Sequence, residues 1–363
     1  MKILFLEPFY GGSHRNFADG LISHSRHEID LLAMPARFWK WRMRGAALYF
    51  SQKIKSPEDY DGILTSSLMS LSDLKALLGR SCPPLIVYFH ENQLTYPLAP
   101  GESMDYHFGF TDVTTALAAK RIIFNSKTHC DAFFSTLPDF LGRMPEYRPK
   151  WVVEIIRAKA GVVYPGCQFS AEKDPEIDGL DARPLIIWNH RWEFDKNPEE
   201  FFCVLDSVMA RGVDFQLALL GENFQTVPKE FIRARERYGK RIVHYGYVKS
   251  RDAYIEWLKR GSVVISTAIQ ENFGISIVEA SRYGCIPLVP KRLSYPEIMP
   301  DKYHGYILYE DREDLVEKFT FILRNHERLG DVRRAVSRHM ARYSWENLIK
   351  TYDHELENLC RQG

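Results

Sequence analysis

Two doubly wound α/β domains, each a parallel sheet with helices on both faces, are what this sequence predicts. Three observations carry the expectation. Short β-rich apolar runs alternate with helix-period segments along the chain, as βαβ units require. The pattern stops and restarts once near the middle. And 363 residues exceed what one hydrophobic core usually organises, so a cleft between two Rossmann-like domains is expected.

In the first half the runs are Ile3–Leu6, Gly62–Leu64, Leu85–Phe89, Arg121–Phe124 and Val162–Tyr164. In the second they are Leu185–Trp188, Phe215–Leu220, Ile242–Tyr245, Val263–Ser266, Ile286–Val289 and Tyr306–Leu308. Between the halves, Ser170–Arg183 is polar, acidic and Pro/Gly-containing, without the apolar periodicity of a packed element. The boundary is expected there, dividing 1–169 from 170–343. The last segment, 344–363, reads as a helix with Trp345, Leu348, Tyr352, Leu356 and Leu359 near one face, fit to cap either domain or to pack back on the first. No internal repeat or low-complexity tract interrupts this grammar.

Composition narrows the function. Hydrophobic residues at 45% and charged ones at 26% match a globular chain rather than a disordered one. A formal net charge of +1 provides no global field toward nucleic acid or membrane, so a polyanionic partner must be met locally. Six scattered cysteines without a C-x-x-C pair argue against a zinc site or a disulfide scaffold. The opening Lys2–Leu6 run is broken by Glu7 and Pro8 too early for a signal peptide, and no apolar run would span a bilayer; a cytoplasmic protein is expected.

Ligands of open α/β sheets bind beyond the carboxyl ends of the strands, which selects short lists of residues. After the first strand, Gly11 and Gly12 let backbone approach a ligand, and a helix beginning near Ser13 as N-cap would offer free N–H groups. Neither G-x-G-x-x-G nor G-x-x-x-x-G-K-[ST] occurs, so dehydrogenase and P-loop readings lose their support. Four polar residues, His90, Glu91, Asn92 and Gln93, follow an otherwise apolar strand, and Asn125 follows the next. In the second half His190, Arg191 and Lys196 follow a strand, where the two cations would converge on a diphosphate or pair with Glu193 or Asp195. The most specific feature runs from Glu271 through Asn272, Phe273, Gly274 and Ile275 to Glu279. If a helix starts near Gly274, two carboxylates flank an N-terminus whose N–H groups and dipole suit a phosphate.

These residues resemble the retaining GT-B glycosyltransferases marked by E-x7-E, here Glu271 and Glu279. The resemblance implies a nucleotide-sugar donor. Glu271 would hold donor-sugar hydroxyls and Glu279 the ribose; the Phe273-Gly274-Ile275 amides would approach sugar and phosphates, with Arg191 and Lys196 neutralising the diphosphate. Gly11 and Gly12 would close against it, and Gly246 and Tyr247 would border the base. A closer likeness runs almost end to end through Glu7–His14, Lys40–Arg42, Ala47–Gln52, Tyr88–Pro97, His190–Trp192, Val264–Thr267 and Tyr295–Ile298. In these the chain is similar to the tRNA-queuosine α-mannosyltransferase family, also described as glycosyltransferase-like domain-containing proteins, although the long insertion of the vertebrate members is missing. That family implies GDP-mannose as donor and queuosine in a tRNA anticodon loop as acceptor. From their place after the strands, His14, Glu91, Asn92, Gln93 and Asn125 are expected on the acceptor side.

One stretch supports an RNA acceptor independently. Arg37, Trp39, Lys40, Trp41, Arg42 and Arg44 interleave cations with aromatics, which would neutralise phosphates and stack on unpaired bases. The bland alternative is a helix whose tryptophans lie in the core. Chemically, Arg191, Lys196 and the helix start would stabilise the departing diphosphate, with no metal or other cofactor required. Retention suggests same-face attack, a donor phosphate oxygen taking the acceptor proton while His90 orients the sugar. Closure of two hinged domains would exclude water. Two other readings fit the same residues: this fold moving another sugar to a glycan, lipid or small molecule, and a noncatalytic protein that binds tRNA or nucleotide sugar.

Overall fold

The computed structural model describes residues 1–99, 101–169, 182–221 and 227–360. It divides into two compact units: Met1–Gln168 together with the segment from Tyr343 onward, and Phe169–Arg342. Positions 170–181 of the inferred linker lie outside the described residues.

The first unit holds β1 (Lys2–Tyr10), β2 (Glu28–Pro35), β3 (Gly62–Ser66), β4 (Leu85–Phe89), β5 (Arg121–Phe124) and β6 (Ala160–Val162) in one sheet of order β2-β1-β3-β4-β5-β6. All pairings are parallel. Alternation along β1 divides the core: Leu4 and Leu6 pack with Phe50, Leu74, Val113, Phe133 and Ile156 on one face. Ile3 and Phe5 pack with Phe17, Leu21, Trp345, Tyr352 and Leu356 on the other. The terminal helix Trp345–Cys360 therefore covers the first sheet. Its Trp345 leaves no room for side chains opposite: a Cβ on Gly20 or Gly166 would come within 1.9 or 2.2 Å of the indole.

β2 escapes the sequence reading because it is a half-exposed edge strand whose run is interrupted by Glu28 and Asp30, both paired with Lys2 at 3.6 Å. The Val162–Tyr164 run pairs two residues earlier than expected, as β6.

The second unit holds β7 (Leu185–Trp188), β8 (Gln216–Leu219), β9 (Ile242–Tyr245), β10 (Val263–Ile265), β11 (Ile286–Pro290) and β12 (Leu308–Tyr309), in the order β12-β11-β10-β7-β8-β9. Its pairings are also parallel. The Tyr306–Leu308 run is corrected: Tyr306 and Ile307 close a short helix, His304–Ile307, and the strand begins only at Leu308. Among the described residues no helix is long and apolar enough to cross a membrane.

In each sheet the order reverses beside its first strand, between β1 and β3 and between β7 and β10. A crevice opens where connections leave in opposite directions, which makes these the points to inspect for ligands.

Candidate active site

In the first unit, the loops after β1 and β4 bring titratable side chains together. Glu7, buried in β1, accepts from the Phe9 amide at 2.8 Å, the Ser66 hydroxyl at 2.9 Å and His14 Nδ1 at 3.2 Å through Oε1. Its Oε2 is buried without a hydrogen-bond partner among the described residues. His14 Nε2 lies 3.5 Å from Glu91 Oε2, so the imidazole spans two carboxylates. Burial opposes its charge, but the charge and hydrogen bond of Glu7, then those of Glu91, outweigh burial and raise its pKa to about 10. The His90 ring lies 4.1 Å from the His14 ring, and burial, reinforced by the neighbouring His14, holds His90 far below the usual imidazole range. A ring favoured in its charged form thus abuts one favoured neutral.

The helix Gly12–His24 is capped by Gly11, two residues before the expected Ser13, and no side chain bonds its first amides. Gly11 is required by proximity: a Cβ there would sit 2.4 Å from that of Ala36. Gly12 takes the left-handed φ of 51° that favours glycine.

Two residues expected on the acceptor side are engaged within the protein. Asn92 is fully buried, donates to Thr95 Oγ1 at 2.9 Å and His129 Nε2 at 2.8 Å, and accepts from the Leu94 and Thr95 amides at 3.0 Å. With every position used it braces the loop and has none left for a ligand. Asn125 donates to the His90 carbonyl at 2.9 Å and accepts from His129 Nδ1 at 2.7 Å, linking the loops after β4 and β5. Burial lowers the His129 pKa to about 3, which suits a neutral ring donating from one nitrogen and accepting at the other. The Gln93 amide is tied to buried Asp112 at 2.6 Å, leaving the half-buried Gln93 side chain beside Glu91 in sequence.

The second unit assembles the other set at its strand-order reversal. Lys196, buried after β7, places Nζ 3.0 Å from the Gln270 carbonyl, 3.2 Å from Glu271 Oε2 and 3.1 Å from Asp195 Oδ2. Burial opposes both charges of the Lys196–Glu271 pair, yet each raises the other's charged form: lysine is held above its ordinary pKa and glutamate below. The loop is clasped by Thr267 Oγ1 to the Lys196 carbonyl at 3.0 Å and by the Ile269 amide to the Asp195 carbonyl at 2.7 Å. Arg191 is half-exposed and meets Glu193 at 3.1 Å, the ion pair that its sequence neighbourhood allowed.

The helix Ile275–Arg282 starts just after Gly274, whose φ of 89° turns the chain, and no side chain caps it. Glu271 therefore stands before this N-terminus and Glu279 within the helix. Asn272 accepts from Gln270 Nε2 at 2.9 Å, while the Phe273 ring is buried, leaving backbone at Phe273, Gly274 and Ile275 as their possible contribution. His190 places Nε2 3.2 Å from the Ile265 carbonyl and Nδ1 3.3 Å from Ser276 Oγ, tying β10 to the helix start. Burial, then the charge of Lys196, lowers its pKa to about 4.

Glu279 brings in residues that the sequence reading passed over. Arg251 Nη2 lies 2.6 Å from Oε1, and Tyr254 donates to Oε2 across 3.5 Å. Asn189 Nδ2 holds that phenol at 2.9 Å and the Ser276 carbonyl at 2.8 Å. Nothing in the sequence links Arg251, at a helix start, to a glutamate 28 positions on. Gly246, with φ 114°, and exposed Tyr247 follow β9.

The cation–aromatic tract opens the helix Trp39–Lys53. Its tryptophans do not enter the core, where Met43, Ala46 and Phe50 go instead. Trp41 is 77% and Phe38 67% exposed; Trp39 is half-buried against Phe108, and Lys40 lies 5.5 Å from the Trp39 ring. Arg37 and Arg44 are exposed, and Arg42 donates to the Pro35 carbonyl at 3.3 Å.

Among the described residues Glu7, His14 and His90 have ligand atoms close enough together to hold a metal ion. Both His14 nitrogens already face carboxylates, so a metal would have to displace a strongly held proton.

Comparisons with known proteins bear on the family and the fold. Residues 2–167 match the family described as tRNA-queuosine alpha-mannosyltransferase N-terminal, and residues 170–338 match glycosyl transferases group 1. The tRNA-queuosine alpha-mannosyltransferase of Drosophila melanogaster is 37% identical over 309 residues, covering 82% of this chain and 81% of its own. A GDP-mannose:cellobiosyl-diphosphopolyprenol alpha-mannosyltransferase of Xanthomonas oryzae is 21% identical over 170 residues, 46% of this chain and 45% of that one. Among solved structures, sucrose-phosphate synthase from Thermosynechococcus elongatus aligns over 100% of both chains with a TM-score of 0.72 at 14% identity. That likeness is one of fold: two Rossmann-like units of the GT-B class.

Proposed function

The chain belongs to the tRNA-queuosine alpha-mannosyltransferase family, and from that membership we propose that it is a cytoplasmic retaining glycosyltransferase moving mannose from GDP-mannose to queuosine in a tRNA anticodon loop. The observation that carries the reading is Lys196 Nζ held between Asp195 and Glu271 beside an uncapped helix start. A cation beside a helix start that no side chain caps supports a reading in which both would meet a leaving diphosphate. The GDP-mannose donor in the name of the Xanthomonas oryzae relative supports the nucleotide and sugar.

In the proposed reaction the anomeric C–O bond breaks and GDP departs, an acceptor hydroxyl attacks the same face, and its proton passes to a phosphate oxygen of the donor. Lys196 exchanges the Gln270 carbonyl for phosphate oxygen, and Glu271 accepts from sugar hydroxyls. Glu279 Oε2, weakly engaged by Tyr254, accepts from a ribose hydroxyl while Arg251 holds Oε1. Within the first unit the imidazolium of His14 keeps Glu91 oriented beside neutral His90. Leaving-group charge is met by side chains and amides, so the reaction runs without a metal. The exposed Arg37–Arg44 tract supports an RNA acceptor.

The test incubates the protein with a panel of nucleotide sugars and with queuosine-containing or queuosine-free tRNA, followed by mass analysis of nucleosides. A hexose increment on queuosine from GDP-mannose is expected, lost in Glu271→Ala. Transfer from another donor only, or no transfer, overturns the proposal.

A further inference from the structure

A second cation–aromatic tract, used by none of the roles above, adjoins the first within the same unit. Between the helices Lys127–Gly142 and Trp151–Arg157 the chain carries Arg143, Tyr147, Arg148, Lys150 and Trp151, all exposed; Tyr147 is 87% and Trp151 60% exposed. Segment 102–108 joins the two tracts. On one side Glu102 meets Lys40 at 3.5 Å and Phe108 packs on Trp39 at 5.3 Å. On the other Met104 Sδ accepts from Arg143 at 3.5 Å and Tyr106 lies 6.1 Å from Phe140.

Residues 37–44, 102–108 and 143–151 together carry seven Lys/Arg against three Asp/Glu, an excess larger than the +1 of the whole chain. The positive field absent from the global charge is thus concentrated on one face. Both tracts also display an aromatic in a left-handed backbone conformation, Phe38 at φ 56° and Tyr147 at φ 50°. Bulky residues avoid that region, and burial explains neither, since both point into solvent.

We propose that this joined face, Phe38 and Trp41 on one flank and Tyr147 and Trp151 on the other, docks unpaired nucleotides of the substrate RNA. The aromatics stack on splayed bases while Arg143, Arg148 and Lys150 neutralise the adjoining phosphates. A protein partner would leave this cation excess unmatched unless strongly acidic; a polynucleotide supplies both flat bases and regularly spaced anions. The inference rests on the tRNA reading and adds a surface remote in sequence from every residue assigned to the reaction.

The experiment measures affinity for queuosine-containing and queuosine-free tRNA by fluorescence anisotropy at several salt concentrations, with transfer kinetics in parallel. The variants are Tyr147→Ala/Trp151→Ala, Arg143→Ala/Arg148→Ala/Lys150→Ala, and the control Lys302→Ala, an exposed cation of the second unit. The aromatic pair is expected to weaken tRNA binding at least about tenfold. The basic triple should reduce the slope of log affinity against log salt by about two. The control should match wild type, and unchanged thermal transitions in all variants show that folding is intact. Wild-type affinity and slope in both multiple variants overturn the surface, and that result also covers a protein-binding face. Absence of wild-type transfer to queuosine tRNA overturns the functional reading instead, while the binding measurements still decide the surface.

Discussion

Replacing Lys196 with methionine tests the site most directly, because it retains most of the side-chain volume and removes only the charge. The lysine is buried and sits 3.1 Å from Asp195 and 3.2 Å from Glu271, so its removal leaves buried Asp195 and largely buried Glu271 without the cation between them. Breaking a buried ion pair by deleting one partner costs about 3–5 kcal/mol. In a unit of this size each kcal/mol lowers the midpoint by about 2–4 °C, so the second unit should melt roughly 6–20 °C earlier. Turnover should fall by about 10²–10³, the cost of losing one donor to a developing anion. Asp195→Asn/Lys196→Met removes one stranded carboxylate and should recover part of the stability but none of the turnover. Calorimetry and transfer from GDP-mannose under saturating substrates supply both readouts. A Lys196→Met enzyme with wild-type melting and turnover within about threefold of wild type would refute the assignment of the cation to the leaving group.

Glu279→Gln should weaken GDP binding by about tenfold or more in titration calorimetry, since a hydrogen bond to a charged acceptor is lost; unchanged affinity removes Glu279 from the ribose site. Buried neutral His129 and His190, with pKa near 3 and 4 against 6.5 unfolded, bind protons only on unfolding between those values, so stability falls as pH drops from about 6.5 toward 4. Each contributes a slope of about 1.4 kcal/mol per pH unit in that window, and His190→Asn should flatten the acid limb of a melting-temperature profile. His14 acts oppositely: its proton stabilises the fold fully below about 6.5 and the gain is lost as pH rises toward 10, so His14→Gln should flatten the alkaline limb. Transfer should survive EDTA; loss of activity restored by a divalent cation would show that the reaction needs a metal, with Glu7, His14 and His90 the first candidates to hold it.

The fold was legible wherever burial made sequence uniform. β4, β5 and β7 match their apolar runs at both ends because buried apolar strands leave few alternatives. β2 was not legible, since an edge strand is half in water and carries charges that resemble a loop. The E-x7-E segment was readable for a local reason: both glutamates and the glycine that starts the helix lie within nine residues, so helix geometry alone relates them. Glu7 left a trace too, as a carboxylate inside an apolar strand, but its bond to His14 depends on a turn whose φ values no spacing specifies.

By itself the sequence determined the βαβ grammar, the two-unit plan and the residues placed at strand ends, because periodicity and strand termini are properties of contiguous chain. Tertiary structure alone decided which polar groups are already spent and which remain for a ligand. Asn92, Asn125 and His190 became braces and Arg251 joined Glu279 because hydrogen bonding is saturable: a donor's availability depends on neighbours far away in the chain. The same holds for Trp41 and Trp151, whose exposure follows from which face of each helix the sheet had already claimed.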